Sequence, residues 1–559
     1  MPDARTSNTI TGRSDFLSLM KDEGVTRMFG NPGTTELPIM HALTEQRDIG
    51  YVLGLQEAVV IAMADGFARA SGQLVSCNVH VAPGLGNAIG AIYTAQVSGT
   101  PMIVTAGQQE QGHGLTEPLL YAPLVPIAQP VVKWATEVNR IEDLPRILRR
   151  AAKVALTAPT GPVFISLPGD ILNNEAALDL GEVTRVDTRT RPSDAALEAC
   201  AKRILAAKRP LIMAGTEIVT SDALAEAARL AEILGAPVLQ QSVQTGAHFL
   251  SEHPAFLGAL NRDQAQVRRV LEPYDLVICV GAELLQMSVY SAVEPLPPDT
   301  KVIQIGLRDW EMGKNFAAEI ALRADVKETL AALNPLLERL GGAARATAAK
   351  ASLAALADHN WSAQRAKKAE AARQRAEAQP IDPDWLMLRL SESLPQDAIV
   401  VDEGLTSSRS LLAFWPFRDR YSYFGNVSGG IGWGIAASVG VQMAHPQRRV
   451  AAVIGDGSAM YCVQALWSAA HYKLPVIFVI ANNGGYRILK QRLKAFHGND
   501  APIGMDFRDP PIDVAGLARA YGVTAHHVET ADQFDAALKA ALATTSGPVL
   551  LDVVVHGAT

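Results

Sequence analysis

Short apolar runs rich in β-branched residues alternate with segments of helical periodicity along most of this chain. Near the N-terminus, "YVLGL", "LVSCNVHV", "PMIVTAG" and "PVFISLP" are separated by segments such as "EAVVIAMADGFARAS", whose apolar positions follow a helical period. This alternation is typical of parallel sheets whose crossover helices cover both faces. The pattern therefore predicts an α/β fold made of doubly wound parallel sheets.

A chain of 559 residues is too long for a single core, and three α/β domains are predicted. The first domain is assigned to residues 1–185, and the second, which contains "RPLIMAG" and "TKVIQIG", to residues 186–340. Residues 341–380 are rich in Ala, Lys, Arg and Glu, which indicates an exposed helical linker. The third domain, residues 381–559, repeats the pattern of the first in "AIVVDEG", "RVAAVIGDG" and "PVIFVIANN".

The charge and the polar start of the chain exclude several classes of partner. The net charge is −7, and without a Lys/Arg block we expect no nucleic-acid partner. The first residues, "MPDARTSNTITGRSDF", lack the apolar core of a signal peptide, and apolar runs such as "PVIFVIA" have only strand length. A soluble, cytoplasmic protein without membrane contact is therefore expected. The cysteines show no CxxC clip and are predicted to be buried thiols: Cys77, Cys200, Cys279 and Cys462.

An aspartate and two asparagines follow apolar strands of the third domain. One strand runs into Gly455-Asp456-Gly457, and another ends in Asn482-Asn483, with 24 residues between Gly457 and Asn482. The carboxyl ends of adjacent parallel strands meet at one sheet edge, where helix N-termini bind phosphate groups. Asp456 would repel a bare diphosphate, so its presence predicts a bridging Mg²⁺ or Ca²⁺. The predicted metal ligands are the Asp456 carboxylate, an Asn483 side-chain oxygen and the Gly485 carbonyl.

Either tripeptide alone is an ordinary turn, but the pair at this spacing resembles the cofactor signature of the thiamine diphosphate enzyme superfamily. "FGNPGTTELP", "LGLQEAVV", "NVHVAPGLGNAIGA", "VTAGQQ" and "PVVKW" look like the benzoylformate decarboxylase branch of the 2-keto-acid decarboxylase and acetolactate synthase group. The resemblance implies a pyrimidine-binding, a middle and a diphosphate-binding domain. It also implies that the site forms between domains of two subunits, which requires at least a homodimer and, by the family's habit, gives a homotetramer.

The resemblance also implies an activity, the decarboxylation of a benzoylformate-like 2-keto acid to an aldehyde and carbon dioxide with thiamine diphosphate and Mg²⁺ as cofactors. Glu57, at the start of a helix, matches the glutamate that binds the aminopyrimidine ring. In "NVSGGIGWG", Ile431 is expected to keep the cofactor bent and the Gly429 carbonyl to accept its amino hydrogen. The other residues expected to contact the cofactor are Thr406, Gly455, Gly457 and Ser458. From the residues alone, the helix dipole also explains Glu57.

Catalytic and pocket residues follow from the same resemblance. His80 ends a strand and matches the branch's catalytic histidine, since an imidazole is suited to proton transfer near neutral pH. Thr34 takes the place of a serine that contacts the substrate carboxylate. The predicted pocket residues are Thr34, His113, Leu119, Leu120, Ser288, Ile488, Leu489 and Arg492. A structural role for His80, solvent exposure of His113 and core packing of the leucines remain open alternatives.

Three departures from the branch bear on the substrate. Ser288 lies near the position of the branch's second histidine, Arg492 replaces a large apolar pocket residue, and Gly485 replaces a hydroxyl residue beside the metal. They favour, as an alternative, a carboligase, a 2-hydroxyacyl-coenzyme A lyase or an oxalyl-coenzyme A decarboxylase-like enzyme. A nicotinamide oxidoreductase is disfavoured because "HVAPGLGNAIG" and "MAGTEIVTS" lack a full GxGxxG with an acidic ribose residue. A non-catalytic relative is disfavoured because Glu57 and Asp456 are intact.

Overall fold

The computed structural model describes residues 9–557. It contains three six-stranded sheets in which every pairing is parallel, and an additional antiparallel pair of short strands. The sheets follow one another along the chain and are connected by helices. The predicted α/β fold with three doubly wound parallel-sheet units is confirmed.

The N-terminal unit has the strand order β3-β2-β4-β5-β7-β6, with β1 and β8 paired separately. Its strands are β1 (Thr9–Thr11), β2 (Arg27–Gly30), β3 (Gly50–Leu53), β4 (Val75–Val79), β5 (Met102–Gln108), β6 (Ala135–Glu137), β7 (Pro162–Pro168) and β8 (Glu175–Ala177). Its helices are α1 (Gly12–Asp22), α2 (Leu37–Glu45), α3 (Glu57–Ser71), α4 (Val81–Ser98), α5 (Leu124–Ala128), α6 (Leu144–Leu156) and α7 (Gly169–Asn173).

The middle unit has the strand order β11-β10-β9-β12-β13-β14. Its strands are β9 (Pro210–Ala214), β10 (Val238–Gln240), β11 (Phe256–Ala259), β12 (Leu276–Val280), β13 (Lys301–Gly306) and β14 (Ile320–Arg323). Its helices are α8 (Asp194–Ala206), α9 (Thr216–Thr220), α10 (Leu224–Leu234), α11 (Gln264–Leu271) and α12 (Val326–Ala355).

The C-terminal unit has the strand order β16-β15-β17-β18-β20-β19. Its strands are β15 (Ile399–Glu403), β16 (Tyr423–Gly425), β17 (Val450–Gly455), β18 (Ile477–Asn482), β19 (Thr524–Val528) and β20 (Val549–Val554). The helices of this part of the chain are α13 (Trp361–Arg373), α14 (Pro383–Ser393), α15 (Leu411–Phe414), α16 (Trp433–Ala444), α17 (Asp456–Tyr461), α18 (Ala465–His471), α19 (Arg487–His497), α20 (Val514–Ala520) and α21 (Ala531–Ala543).

The segment 341–380 is largely helical, and it contains the end of α12 and all of α13. The predicted boundary after residue 340 falls inside α12, which kinks at Gly342 with φ 62°. Trp361 is buried, and its indole nitrogen donates to the Leu412 carbonyl at 2.9 Å. The segment therefore packs partly against the C-terminal unit, while the domain boundaries themselves stay predictions.

The structure also bears on the cysteines and on membrane contact. All four cysteines are free and buried, as expected. Within residues 9–557, no helix combines the length and the apolar character that a membrane span needs.

Helices α3 and α16 cross in direct backbone contact and join the N-terminal unit to the C-terminal unit. A Cβ atom at Gly66 would lie 2.2 Å from the Ala437 carbonyl oxygen, and one at Gly440 would lie 1.9 Å from that of Met63. The carboxylate of Asp65, on α3, accepts a hydrogen bond of 2.6 Å from the indole nitrogen of Trp433, the first residue of α16. The crossing therefore fixes α3 relative to α16.

The variant Gly440→Ala should lower the free energy of unfolding by about 2 kcal/mol, because its methyl group would collide with the backbone of α3. The helix propensity gained from alanine, about 1 kcal/mol, does not offset that collision. Urea unfolding followed by circular dichroism measures the change. Gly547→Ala is the matched control, since its methyl group would meet no atom within 4 Å. Equal stability of the two variants would contradict the role of the crossing.

Candidate active site

The two turns predicted to share a metal ion meet at the carboxyl ends of adjacent strands. β17 and β18 pair in parallel with Gly455 opposite Ala481. Asp456 begins α17 immediately after β17, and its Oδ2 accepts hydrogen bonds from the backbone nitrogens of Gly484 at 2.9 Å and Gly485 at 3.0 Å. The aspartate of one turn therefore binds the backbone of the other.

The two asparagines of the second turn have different environments. Asn482 Nδ2 donates to Asp552 at 2.9 Å, and its Oδ1 accepts from the Gly484 nitrogen at 3.2 Å, so this side chain is fully engaged. Asn483 Nδ2 donates to Ser407 Oγ at 3.3 Å, but its buried Oδ1 has no hydrogen-bond partner among residues 9–557. A buried oxygen without a partner costs about 1–3 kcal/mol. Asn483 thus offers an oxygen that fits a cation beside Asp456.

Two glycines of this edge are required by close contacts. A Cβ atom at Gly485 would lie 2.3 Å from the Met505 carbonyl oxygen, because residues 505–507 pair with the turn. A Cβ atom at Gly457 would lie 2.7 Å from the ring of Tyr486. The packing of Met505 therefore explains why Gly485 stands where the resemblance leads one to expect a hydroxyl residue.

Burial raises the pKa of Asp456 to about 6, although the backbone N–H groups of Gly457, Gly485 and Gly484 act in the opposite direction. A desolvated carboxylate gains most from a cation. Asp456, the Asn483 oxygen and the Gly485 carbonyl thus make an oxygen donor set of the kind that Mg²⁺ and Ca²⁺ prefer.

Glu57 is the first residue of α3, and two asparagines hold its buried carboxylate. Gln56 caps the helix by accepting from the backbone nitrogens of the next turn. Glu57 Oε1 accepts from Asn31 Nδ2 at 3.2 Å, and Oε2 accepts from Asn87 Nδ2 at 3.1 Å. The two amides fix the orientation of the acid. Neither asparagine was predicted as a site residue, although Asn31 opens "NPG" and Asn87 lies in "GLGNAIG".

His80 lies at the end of β4 and is bound to a buried glutamate. Its Nδ1 is 2.9 Å from Glu36 Oε2 and 3.1 Å from Thr35 Oγ1. The same glutamate accepts from the backbone nitrogens of Gly33 at 2.9 Å and Gly107 at 2.8 Å, which fixes its position. The imidazole packs on Gly33, where a Cβ atom would lie 2.2 Å from the ring. With Nδ1 bound to the carboxylate, Nε2 is the nitrogen that remains for a ligand.

Thr34 was predicted as a site residue, whereas Glu36 was not. Thr34 is exposed at the start of a short 3₁₀ turn, and its neighbour Thr35 makes the contacts to Glu36 and His80. The signal was present, since a glutamate three residues after Gly33 is typical of a helix start whose backbone it caps.

The remaining predicted cofactor residues lie on loops of the C-terminal unit. Gly429 is exposed and Ile431 is half-buried in the loop between β16 and α16. Thr406 is half-buried after β15, while Ser458 is buried in α17. All of these positions belong to the same unit as Asp456 and Asn483.

The predicted pocket residues are spread over all three units. His113 lies in an exposed 3₁₀ turn, where Thr116 contacts its Nδ1 at 3.2 Å, and Leu119 is 98% exposed. Ser288 is exposed in the middle unit, and its backbone nitrogen donates to the Arg262 carbonyl at 3.1 Å. Leu120 is half-buried in the N-terminal unit, and α19 carries Ile488, Leu489 and Arg492.

The site residues form two separate clusters, one in the N-terminal unit and one in the C-terminal unit. In the described part of the chain, no hydrogen bond joins the cluster of Glu57 and His80 to that of Asp456 and Asn483. The contacts between the units run elsewhere, for example from Thr94 on α4 to Ser428 at 2.7 Å and from the Leu53 nitrogen to the Tyr472 hydroxyl at 2.7 Å.

Family profiles match this chain in three separate segments. Three family profiles match it in order: the thiamine pyrophosphate enzyme N-terminal TPP binding domain over residues 10–118, the central domain over residues 197–333 and the C-terminal TPP binding domain over residues 406–553. The cluster of Glu57 and His80 lies within the first of these matches, and the cluster of Asp456 and Asn483 lies within the last.

Relatives match over nearly the full length. The chain is 34% identical to a benzoylformate decarboxylase of Pseudomonas aeruginosa, over 97% of this chain and 98% of the relative. It is 27% identical to an acetolactate synthase large subunit of Haemophilus influenzae, over 97% and 94% of the two chains. Among solved structures, a thiamine diphosphate-dependent 4-hydroxybenzoylformate decarboxylase of Rhodococcus jostii aligns with a TM-score of 0.86 at 31% identity, over 98% of this chain and all of that one. The chain therefore belongs to the family of thiamine pyrophosphate enzymes that includes the benzoylformate decarboxylases.

Proposed function

We propose that this protein is a thiamine diphosphate-dependent decarboxylase that converts a benzoylformate-like 2-keto acid and a proton into an aldehyde and carbon dioxide. The observation that carries the proposal is the combination of a buried acid at Glu57 with the Glu36–His80 pair in one unit. The first supplies the carboxyl group that the cofactor needs, and the second supplies a group able to move the proton that the reaction consumes.

Thiamine diphosphate, when bound, supplies a thiazolium carbon that adds to the keto group and accepts the electron pair released with carbon dioxide. The protein's own residues would orient the cofactor and the substrate and transfer protons. Asn31 and Asn87 keep the Glu57 carboxyl directed at the aminopyrimidine ring, and Ile431 and the Gly429 carbonyl would set the shape of the cofactor. Glu36 holds His80 so that Nε2 faces the substrate, with the Thr34 hydroxyl available to the substrate carboxylate.

We infer that a divalent cation, Mg²⁺ or Ca²⁺, links the diphosphate to the C-terminal unit. The partnerless Asn483 oxygen and the buried Asp456 carboxylate support this inference. Two diphosphate oxygens and a water molecule would complete the coordination.

We also infer at least a homodimer, and a homotetramer as the family habit. Exposed apolar side chains occur in both halves, and they include Leu37 at 57% and Leu119 at 98% in the N-terminal unit and Leu489 at 46% and Phe496 at 56% on α19. Leu489 and Phe496 are seven positions apart on α19 and therefore lie on one face of that helix. Contiguous apolar surface of this kind marks association. A second subunit would cover them and bring Glu57 of one chain to Asp456 of the other. The cytoplasmic localisation and the absence of a nucleic-acid partner stay predictions.

One observation favours a second candidate function. Arg492 makes no hydrogen bond or ion pair among residues 9–557, whereas Lys490 and Lys494 on the same helix are paired with Asp506 and Asp500. The Arg492 guanidinium packs on the Phe496 ring, 5.5 Å from its centroid. Beside the substrate, its N–H groups would favour a second anionic group, as in an acyl-coenzyme A. The acetolactate synthase relatives support carboligation as a further outcome of the same chemistry.

The variant Glu57→Gln should lower kcat at least a hundredfold while cofactor binding changes little, because the acid acts on the pyrimidine ring and not on the diphosphate. Turnover of benzoylformate and titration with thiamine diphosphate measure the two quantities. Glu45→Gln, an exposed glutamate at the end of α2, serves as the control. Undiminished turnover by Glu57→Gln would refute the mechanism.

Binding of Mg²⁺ together with thiamine diphosphate should weaken as the pH falls below about 6, where protons compete for the Asp456 carboxylate. The apparent metal affinity would fall up to tenfold per pH unit below that value and stay nearly constant between pH 7 and 8. Isothermal titration calorimetry from pH 5 to pH 8 measures the dependence. Asp456→Ala should lose Mg²⁺-dependent binding at every pH, and Asp48→Ala, on the surface, should keep it. A pH-independent affinity would contradict the metal assignment.

A substrate panel separates the candidate functions. Benzoylformate, aliphatic 2-keto acids and a 2-hydroxyacyl thioester, each with and without an acceptor aldehyde, are scored for free aldehyde, ligated product and carbon dioxide. We expect aromatic aldehyde and carbon dioxide from benzoylformate. Formyl-coenzyme A from the thioester, or ligated product without free aldehyde, would favour the second candidate.

A further inference from the structure

The loop between β16 and α16 is built from residues that do not hold a shape by themselves. Residues 426–434 read "NVSGGIGWG", with four glycines. Gly429 and Gly432 adopt φ angles of 77° and 98°, which favour glycine. Glycine loses more conformational freedom on folding than other residues, so a fixed shape of this loop depends on the hydrogen bonds that hold its backbone.

One buried carboxyl group supplies three hydrogen bonds to residues at the two ends of the loop, in addition to the Thr94–Ser428 bond near its middle. Glu403, the last residue of β15, is 3% exposed. Its Oε1 accepts from the Gly432 nitrogen at 2.7 Å and from Asn426 Nδ2 at 3.2 Å, and its Oε2 accepts from the Gly434 nitrogen at 2.5 Å. Ile431 lies between these anchored positions and is adjacent to Gly432.

Asn426 extends the same support to the middle of the loop. Its Nδ2 also donates to the Gly430 carbonyl at 2.6 Å, and its Oδ1 accepts from the Ser428 nitrogen at 3.1 Å. The Ser428 hydroxyl in turn accepts from the Gly430 nitrogen at 3.2 Å. Glu403 therefore holds the loop directly at two backbone positions and indirectly through Asn426.

Burial raises the pKa of Glu403 to about 8, while the N–H groups of Gly434, Gly432 and Asn426 oppose the shift and the neighbouring Asp402 adds to it. The titratable groups that interact with Glu403 are Asp402 and Cys462. Burial raises the pKa of Cys462 to about 12, so the thiol stays neutral below pH 9. The Asp402 carboxylate is bound by the Tyr423 hydroxyl and the Gly404 nitrogen, each at 2.9 Å, and by no atom of the loop.

We propose that Glu403 is a positioning residue whose carboxylate holds the loop in the shape that presents Ile431 and the Gly429 carbonyl to the cofactor. The roles of Ile431 and Gly429 rest on the proposed function, whereas the anchoring of the loop does not. Glu403 acts through the loop backbone. Its ionised form binds the N–H groups more strongly than the neutral acid.

Hydrogen exchange measured by mass spectrometry tests the anchoring without any turnover. In full-length protein with thiamine diphosphate and Mg²⁺ but no substrate, Glu403→Gln should speed amide exchange in residues 425–435 at least tenfold. The side-chain amide of the glutamine has almost the size of the carboxyl group. Its NH₂ group would face an N–H donor of the loop, so that one hydrogen bond is lost. Asp402→Asn is the matched control on the same strand and should exchange like the wild type. After correction for intrinsic rates, protection of the loop in the wild type should rise between pH 7 and pH 9, and in Glu403→Gln it should not.

Kinetics test the consequence for the reaction. Glu403→Gln should lower kcat at least tenfold and change KM for the keto acid less than threefold, at saturating cofactor. The proposal would be overturned if Glu403→Gln left exchange in residues 425–435 unchanged, or raised exchange equally across all strands of the C-terminal unit. It would also be overturned if the pH dependence of protection were lost in Asp402→Asn instead of Glu403→Gln, or if Glu403→Gln kept the wild-type kcat. Absence of keto-acid turnover in the wild type would instead refute the proposed function, and the exchange experiment would still decide whether Glu403 anchors the loop.

Discussion

The direct contact of α3 with α16 is the constraint on which both halves of the candidate site depend. Helix α3 begins with Glu57, and α16 follows the loop that carries Ile431. Gly66 and Gly440 let the two backbones touch, and the Asp65–Trp433 hydrogen bond fixes the start of α16. Glu57 and the loop that carries Ile431 are thus both attached to helices that pack backbone to backbone.

Four buried carboxyl groups are bound in the same way. Glu36, Glu57, Glu403 and Asp456 are each at most 7% exposed, and each is held by N–H groups of the backbone or of asparagines. Within residues 9–557, Glu36 is the one member of this group that contacts a basic side chain, His80. Donors of this kind fix a carboxyl group without neutralising it. The N–H donors thus offset part of the cost of burying these carboxyl groups and fix their orientation.

The sequence predicted what depends on the order of elements along the chain. Three parallel-sheet units follow from strand and helix periodicity, and the meeting of Asp456 with the turn after β18 follows from adjacent strand ends. The partners of the buried acids were not predictable in this way. Asn31 and Asn87 are 26 and 30 positions from Glu57, and Glu36 is 44 positions from His80. Which side chain reaches an acid across such a separation depends on loop shape and helix rotation, which no periodicity encodes.

Helix α19 shows why the substrate pocket is harder to deduce than the cofactor site. It begins two residues after Gly485 and carries Ile488, Leu489 and Arg492, yet none of its residues is buried by its own chain. Leu489 and Phe496 are exposed, and the Arg492 guanidinium packs on the Phe496 ring of the same helix. The oxygen donors of the C-terminal unit are positioned by contacts that one chain makes with itself, such as Asp456 with Gly485. In the proposed dimer, the pocket would depend on the groups of the second chain that face α19, so that substitutions there would change the substrate while the fold stays the same.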